Sequence, residues 1–124
     1  MKYVDGYVLV VPKKRVKEYE KMAKFASKIW KKHGALEYME CMGDDLNPNM
    51  YGMKMLGFPK MAKLKKGETV WFSFIVYKSK KHRDAVNKKV MKDPAMKDSP
   101  CDPKNMPFTM NRFSWGGFEA RVVA

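Results

Sequence analysis

Two stretches of this chain are apolar on both faces of an extended backbone, and the rest of the pattern is arranged around them. From Tyr3 to Val11, Val4, Val8 and Val10 fall on one face and Tyr3, Tyr7, Leu9 and Val11 on the other. A period of two with little polar character on either side predicts a strand buried twice over. Thr69 to Tyr77 repeats this more strongly, setting Val70, Phe72, Phe74 and Val76 against Trp71, Ile75 and Tyr77, with Ser73 as its polar interruption.

Between these strands the period changes. Pro12 ends the first, and from Lys13 the residues Val16, Tyr19, Met22, Ala23, Ala26, Ile29 and Trp30 recur at spacings of three and four, one stripe of an amphipathic helix. Lysines fill its outer face. Gly34 is placed to stop it as a left-handed residue, with Lys31, Lys32 and His33 in the last turn complementing the negative end of the helix dipole. Ala35 to Met42 returns to strand character, alternating Leu36, Tyr38, Glu40 and Met42 against Ala35, Glu37, Met39 and Cys41. Gly43 to Gly52 reads as a loop, Met53 to Phe58 as a short edge strand, and Lys63 to Gly67 as a basic turn.

Beyond the second two-sided strand, Ser79 is set to cap a helix running to about Met91, with Ala85, Val86 and Val90 inward and Asp93-Pro94 closing it. Ala95 to Thr109, with Pro100, Pro103 and Pro107, is an irregular excursion. Arg112 to Val122 makes a last strand, in which Gly116-Gly117 marks a bulge or a close backbone approach. The order predicts an α+β fold: a ferredoxin-like split βαβ unit with two helices on one face of an antiparallel sheet. The other face is then bare. Because the strands carry Tyr, Trp, Phe and Leu on both sides, burying it is worth about 1.5–3 kcal/mol per side chain, and a twin molecule lying over Tyr7, Trp71 and Ile75 is the expected roof.

Composition adjusts this picture in three ways. At 124 residues, 45% hydrophobic, the chain is expected to form a single domain over 1–124 with one core. No apolar run reaches the roughly 20 residues of a membrane span, and the opening Met1 to Gly6 carries acid and glycine where a signal peptide would stay apolar, so a cytoplasmic location is expected. The net charge of +13 admits nucleic acid or another anionic partner, but only Arg15, Arg83, Arg112 and Arg121 of the 26 bases are arginine, the better reader of phosphates. Nucleic acid is therefore disfavoured.

Candidate chemistry is sparse. Cys41 and Cys101 belong to no CxxC or Cys/His cluster, and Asp45 to Asn49 opens like a calcium loop but puts Met50 and Leu56 where glycine and glutamate are required. His33 and His82 are expected at helix ends. No metal and no cofactor is expected. Asp5 stands alone in an apolar face, where burial raises a carboxyl pKa toward the range useful for proton abstraction, or where Tyr38, Tyr77 or Arg112 satisfies it by hydrogen bonding. Arg83 and Asn87, one helical turn apart, make either a small anion clamp or ordinary surface pairs. Trp71, Ser73, Tyr77 and Trp115 are candidates to line a barrel interior, which is otherwise a dry dimer core. Phe72 to Tyr77 has the aromatic spacing of an RNA-recognition strand, but Thr69, Val70 and Trp71 stand where basic and glycine residues belong.

Several segments together carry a family resemblance: Tyr3-Val4-Asp5-Gly6-Tyr7-Val8-Leu9, His33-Gly34-Ala35-Leu36-Glu37-Tyr38, Gly43-Asp44-Asp45, Tyr77-Lys78-Ser79, His82-Arg83-Asp84, Asp93-Pro94 and Gly116-Gly117-Phe118-Glu119. The chain resembles the YbaA-like bacterial proteins over nearly its whole length, departing in the Lys- and Met-rich loop from Met50 to Lys66. That resemblance implies a dimeric α+β barrel and carries no established activity with it. The expectation is a homodimer binding a small organic molecule, with cofactor-free proton-transfer or oxygenase-type chemistry at Asp5, Ser73, Tyr77 and Arg112. Tyr7, Tyr38, Trp71, Arg83, Asn87 and Trp115 are its expected ligand contacts. A basic adaptor for RNA or anionic surfaces and a structural dimer without ligand are the alternatives.

Overall fold

The computed structural model describes residues 1–124. Strand β1 (Tyr3–Pro12) leads through a 3-10 turn (Lys13–Arg15) into helix α1 (Val16–Lys32); β2 (Glu37–Met42) follows, then the single helical turn α2 (Phe58–Met61), β3 (Glu68–Tyr77), helix α3 (Lys80–Lys92) and β4 (Ser114–Glu119). The four strands form one antiparallel sheet in the order β2-β3-β1-β4. That order, with both long helices crossing one face, is the ferredoxin-like split βαβ arrangement from which dimeric α+β barrels are built.

The punctuation residues act as their chemistry dictates. Gly34 takes φ 111°, and the amides of Gly34 and Ala35 return to the carbonyls of Lys31 and Trp30 at 3.1 and 3.0 Å, closing α1. Ser79 caps α3 by accepting from the His82 amide at 3.1 Å. Asp93 ends that helix and ties it to the first: its side chain accepts from the Ala95 amide at 2.9 Å, while His33 Nε2 and Lys32 Nζ at the end of α1 lie 2.7 and 3.1 Å from Oδ2. His33 and His82 thus both serve helix ends, the latter accepting at Nδ1 from the Lys78 amide.

The two faces of the sheet are covered differently from expectation. Leu9, Val11 and Trp71 pack under Tyr19 and Ala23 of α1, and Ile75 and Tyr77 pack under Ile29, Val86 and Val90. Trp71 and Ile75 are each buried at 3% exposure, and Tyr7 packs against both groups, all beneath this chain's own helices. The twin expected over Tyr7, Trp71 and Ile75 has no place there. The bare face is the opposite one, carrying Met39, Phe72 and Phe118 at 50%, 46% and 61% exposure. When both faces of a strand are apolar, period two says that both are covered but not which one the helices take. Only at one end is the opposite face roofed by its own chain, where Ala62, Leu46 and Leu64 cover Val10 and Val70.

Three boundaries also shift. The predicted edge strand at Met53–Phe58 does not form: Tyr51 and Gly52 both take positive φ, and Pro59 opens the α2 turn in place of pairing. The last strand spans Ser114–Glu119, leaving Arg112 in a preceding 3-10 turn. At Gly116-Gly117 the β1–β4 register runs without a bulge; Gly117 is instead a close approach, since a Cβ there would collide with the Tyr3 ring and hydroxyl.

Candidate functional site

A cavity of about 170 Å³ lies between the helix-covered face of the sheet and α1, lined mainly by apolar and aromatic side chains. Its walls come from three places. The sheet contributes Tyr7, Leu9 and Ile75, α1 contributes Tyr19, Met22 and Trp30, and the chain before β4 contributes Phe108 and Phe113. The register that pairs Tyr7 with Ser73, Ser73 with Glu40 and Ile75 with Tyr38 puts one polar row across this otherwise apolar floor.

Glu40 is the centre of that row. Tyr19 donates to its Oε1 at 2.7 Å and Tyr38 to its Oε2 at 2.8 Å, and the Ser73 hydroxyl donates to Oε1 as well. A carboxylate set in an apolar pocket is retained only if its oxygens are satisfied, and three converging hydroxyls do this without neutralising it. Burial pushes the Tyr19 and Tyr38 phenols well above their ordinary range, reinforced by the neighbouring Glu40 charge, so both stay protonated as donors. Tyr7 is raised too, by burial first and then by Asp5. Its ring is held by stacking on Trp115 at 6.0 Å and edge-on against Phe113 at 6.1 Å.

A second polar cluster sits beside the cavity. Asp5 is wholly buried, and Arg83 Nη1 reaches its Oδ1 at 3.0 Å while Arg83 Nε lies 2.9 Å from Asp84. Burial raises the Asp5 pKa and the guanidinium opposes it; Oδ2 has no hydrogen-bond partner within the chain. Asn87 Oδ1 accepts from Trp30 Nε1 at 3.1 Å and from Tyr77 at 3.3 Å, linking α3 to the cavity wall.

Of the residues singled out from sequence, Ser73, Tyr7 and Tyr38 line the cavity. Asp5 and Tyr77 lie next to it in the Arg83–Asn87 cluster, and the partner of Asp5 is Arg83, not Tyr38, Tyr77 or Arg112. Arg83 thus faces two carboxylates, Asp5 and Asp84, and makes no hydrogen bond to Asn87. Trp71 is packed edge-on to Tyr19 and donates to Thr69, outside the cavity lining. Trp115 supports Tyr7 from outside. Arg112 lies apart from the cavity, donating to Glu68 at 2.6 and 2.7 Å and to the Lys63 carbonyl at 3.1 Å. Trp71, Ser73, Tyr77 and Trp115 do not line a space between two sheets, because all four belong to the helix-covered side. The residue missed was Glu40, although it interrupts an apolar alternation just as Asp5 does.

With that geometry, the molecule is an α+β protein of ferredoxin-like fold with an aromatic cavity around one carboxylate. The chain belongs to the DUF1428 family of proteins of unknown function, which matches residues 2–110. It is 41% identical to the uncharacterised protein YbaA of Escherichia coli strain K12 over 122 residues, 98% of each chain, and equally so to YbaA of Shigella flexneri. In fold it is similar to a mutant of SnoaB, a cofactor-independent oxygenase from Streptomyces nogalater, with a TM-score of 0.56 and 11% identity over 98% of this chain and 95% of that one. No helix is long and apolar enough to cross a membrane.

Proposed function

We propose that this protein binds a small organic molecule in the cavity beneath α1 and that Glu40 accepts a proton from it. The observation that carries this reading is the Glu40 carboxylate held by Tyr19, Tyr38 and Ser73 inside an aromatic pocket. A carboxylate held by three hydroxyls against aromatic walls is placed to act as a general base. A proton leaving a carbon or oxygen acid would pass to Oε2, which has one partner where Oε1 has two. Tyr7 stands in the same lining with its hydroxyl not tied to Glu40, suited to hydrogen-bond the oxygen on which charge develops. The step needs no cofactor. An oxygenase-type outcome, the chemistry named for SnoaB, would take its oxidant from dioxygen as a second substrate.

The reading includes a homodimer joined through the bare face. Register and alternation place Val4, Val8, Met39, Phe72, Phe74 and Phe118 there together, with no lysine or arginine among the strand residues of that side. In a chain of net charge +13, a large apolar face free of bases is one that a second copy can cover without like-charge repulsion at its centre. The test of the ligand reading is equilibrium binding of small aromatic molecules to the purified protein and to Glu40→Gln. Saturable binding that changes with Glu40 supports it; binding indifferent to Glu40 contradicts it.

A further inference from the structure

The polarity of the cavity specifies more than its size. Each of the three hydroxyls around Glu40 directs its hydrogen at the carboxylate, so what Tyr19, Tyr38 and Ser73 leave toward the cavity is oxygen lone pairs. Glu40 itself only accepts when ionised. Trp30 has its N–H committed to Asn87. Of the polar groups in the lining, Tyr7 alone has a hydroxyl outside this arrangement. The lining thus offers a cluster of acceptors and a single free hydroxyl donor, Tyr7. Although the protein carries 26 lysines and arginines, none lines the cavity.

Resting on the proposed function, we infer that the ligand is a neutral, single-ring aromatic hydrogen-bond donor, a phenol or an enol of similar size, and that aromatic carboxylates are excluded. Volume sets the ring count: a pocket of about 150 Å³ accommodates one benzene ring, and this one is of that order. Charge sets the rest. An anion entering the pocket meets the Glu40 carboxylate with no lysine or arginine in the lining to offset it, whereas a hydroxyl finds in it a strong acceptor. A ring bearing only methyl groups fills the same space but leaves the acceptors without a donor.

Isothermal titration of the purified protein with p-cresol, p-xylene and p-toluate, which are close in shape, tests this directly. p-Cresol should bind about tenfold or more tightly than p-xylene, as expected for a bond to a charged acceptor, and p-toluate should not compete with it. In Glu40→Gln the preference for p-cresol should fall to within about threefold of p-xylene, since the amide is uncharged. Ser73→Ala, which frees a lone pair on Glu40 and keeps its charge, should retain the preference and serves if the Gln variant does not fold. Equal binding of p-cresol and p-xylene, or tighter binding of p-toluate, overturns the inference while leaving the cavity as a ligand site. Binding of none of the three overturns both.

Discussion

Arg83 on α3 reaches across the sheet to Asp5 on β1, Nη1 to Oδ1 at 3.0 Å, and the carboxylate it meets is wholly buried. Removing one member of such a pair leaves an uncompensated buried charge, which typically costs about 3–5 kcal/mol. Arg83→Met should therefore lower the unfolding free energy by about 3 kcal/mol in urea denaturation at pH 7. Burial already raises the Asp5 pKa against the pull of Arg83, so Asp5 favours the folded state most when protonated and disfavours it as pH rises. Without the guanidinium that rise is steeper. The loss in Arg83→Met should be smaller at pH 4 than at pH 7, and a loss equal at both would contradict the pairing.

Asp93 has the opposite sign. The Ala95 amide, then His33 and Lys32, hold its carboxyl well below the usual carboxylate range. A depressed pKa contributes stability that is present above the unfolded value, about 3.9, and is lost as pH falls through the folded one. Asp93→Asn should melt below the parent protein at pH 7, and the two melting temperatures should approach each other as the pH is taken into the acid range. A gap that widened with acid would refute the role assigned to Asp93 in joining the ends of α1 and α3.

Arg112 is expected to act through structure and not through the ligand. Its paired bonds to Glu68, at 2.6 and 2.7 Å, hold the Glu68 pKa down to about 2 and fix the turn that presents Phe113 to the cavity. Both side chains are largely shielded, and hydrogen bonding to a charged group is worth about 1.5–3 kcal/mol. Arg112→Ala should cost roughly that in stability. Its affinity for p-cresol should stay within about threefold of the parent's, because no charge in the cavity changes. A loss of binding without a loss of stability would place Arg112 in the site after all.

The bare sheet face supplies a prediction about assembly. Sedimentation should find a dimer whose association strengthens with added salt, since two chains of charge +13 repel at a distance and meet through apolar surface. Phe72→Lys combined with Phe118→Lys should give a monomer of nearly unchanged melting temperature, because both rings are about half exposed in the protomer. A monomeric parent protein would contradict the dimer.

Much of this fold was legible in the residues. The two-sided strands, the α1 stripe, the Gly34 stop and the Ser79 cap each carry a local physical signal, and each forms as read. The side of the sheet taken by the helices was not legible, because Leu9 and Trp71 are no more apolar than Val10 and Phe72 one step along. Choosing between them depends on how Tyr19 and Ala23 fit, which is a matter of shape and not of period. The site was half legible. Ser73, Tyr7 and Tyr38 stood out as polar or amphipathic positions in strands, but their convergence depends on the β2–β3–β1 register, which brings Glu40 beside Ser73. Phe108 and Phe113 flank the 3-10 turn before β4; the first fell in a stretch read as irregular and the second at the start of the expected last strand, and neither position pointed to the cavity.

Methyl NMR of methionine-labelled protein during titration with p-cresol shows whether the aromatic cavity around Glu40 is the binding site. Met22 lines the cavity, whereas Met53, Met55 and Met110 are exposed. With p-cresol in the cavity the Met22 methyl shifts saturably, moved upfield by the adjacent ring, and the three exposed methyls stay unchanged. An unmoved Met22 methyl beside saturating shifts at Met53 or Met55 would contradict binding in the cavity.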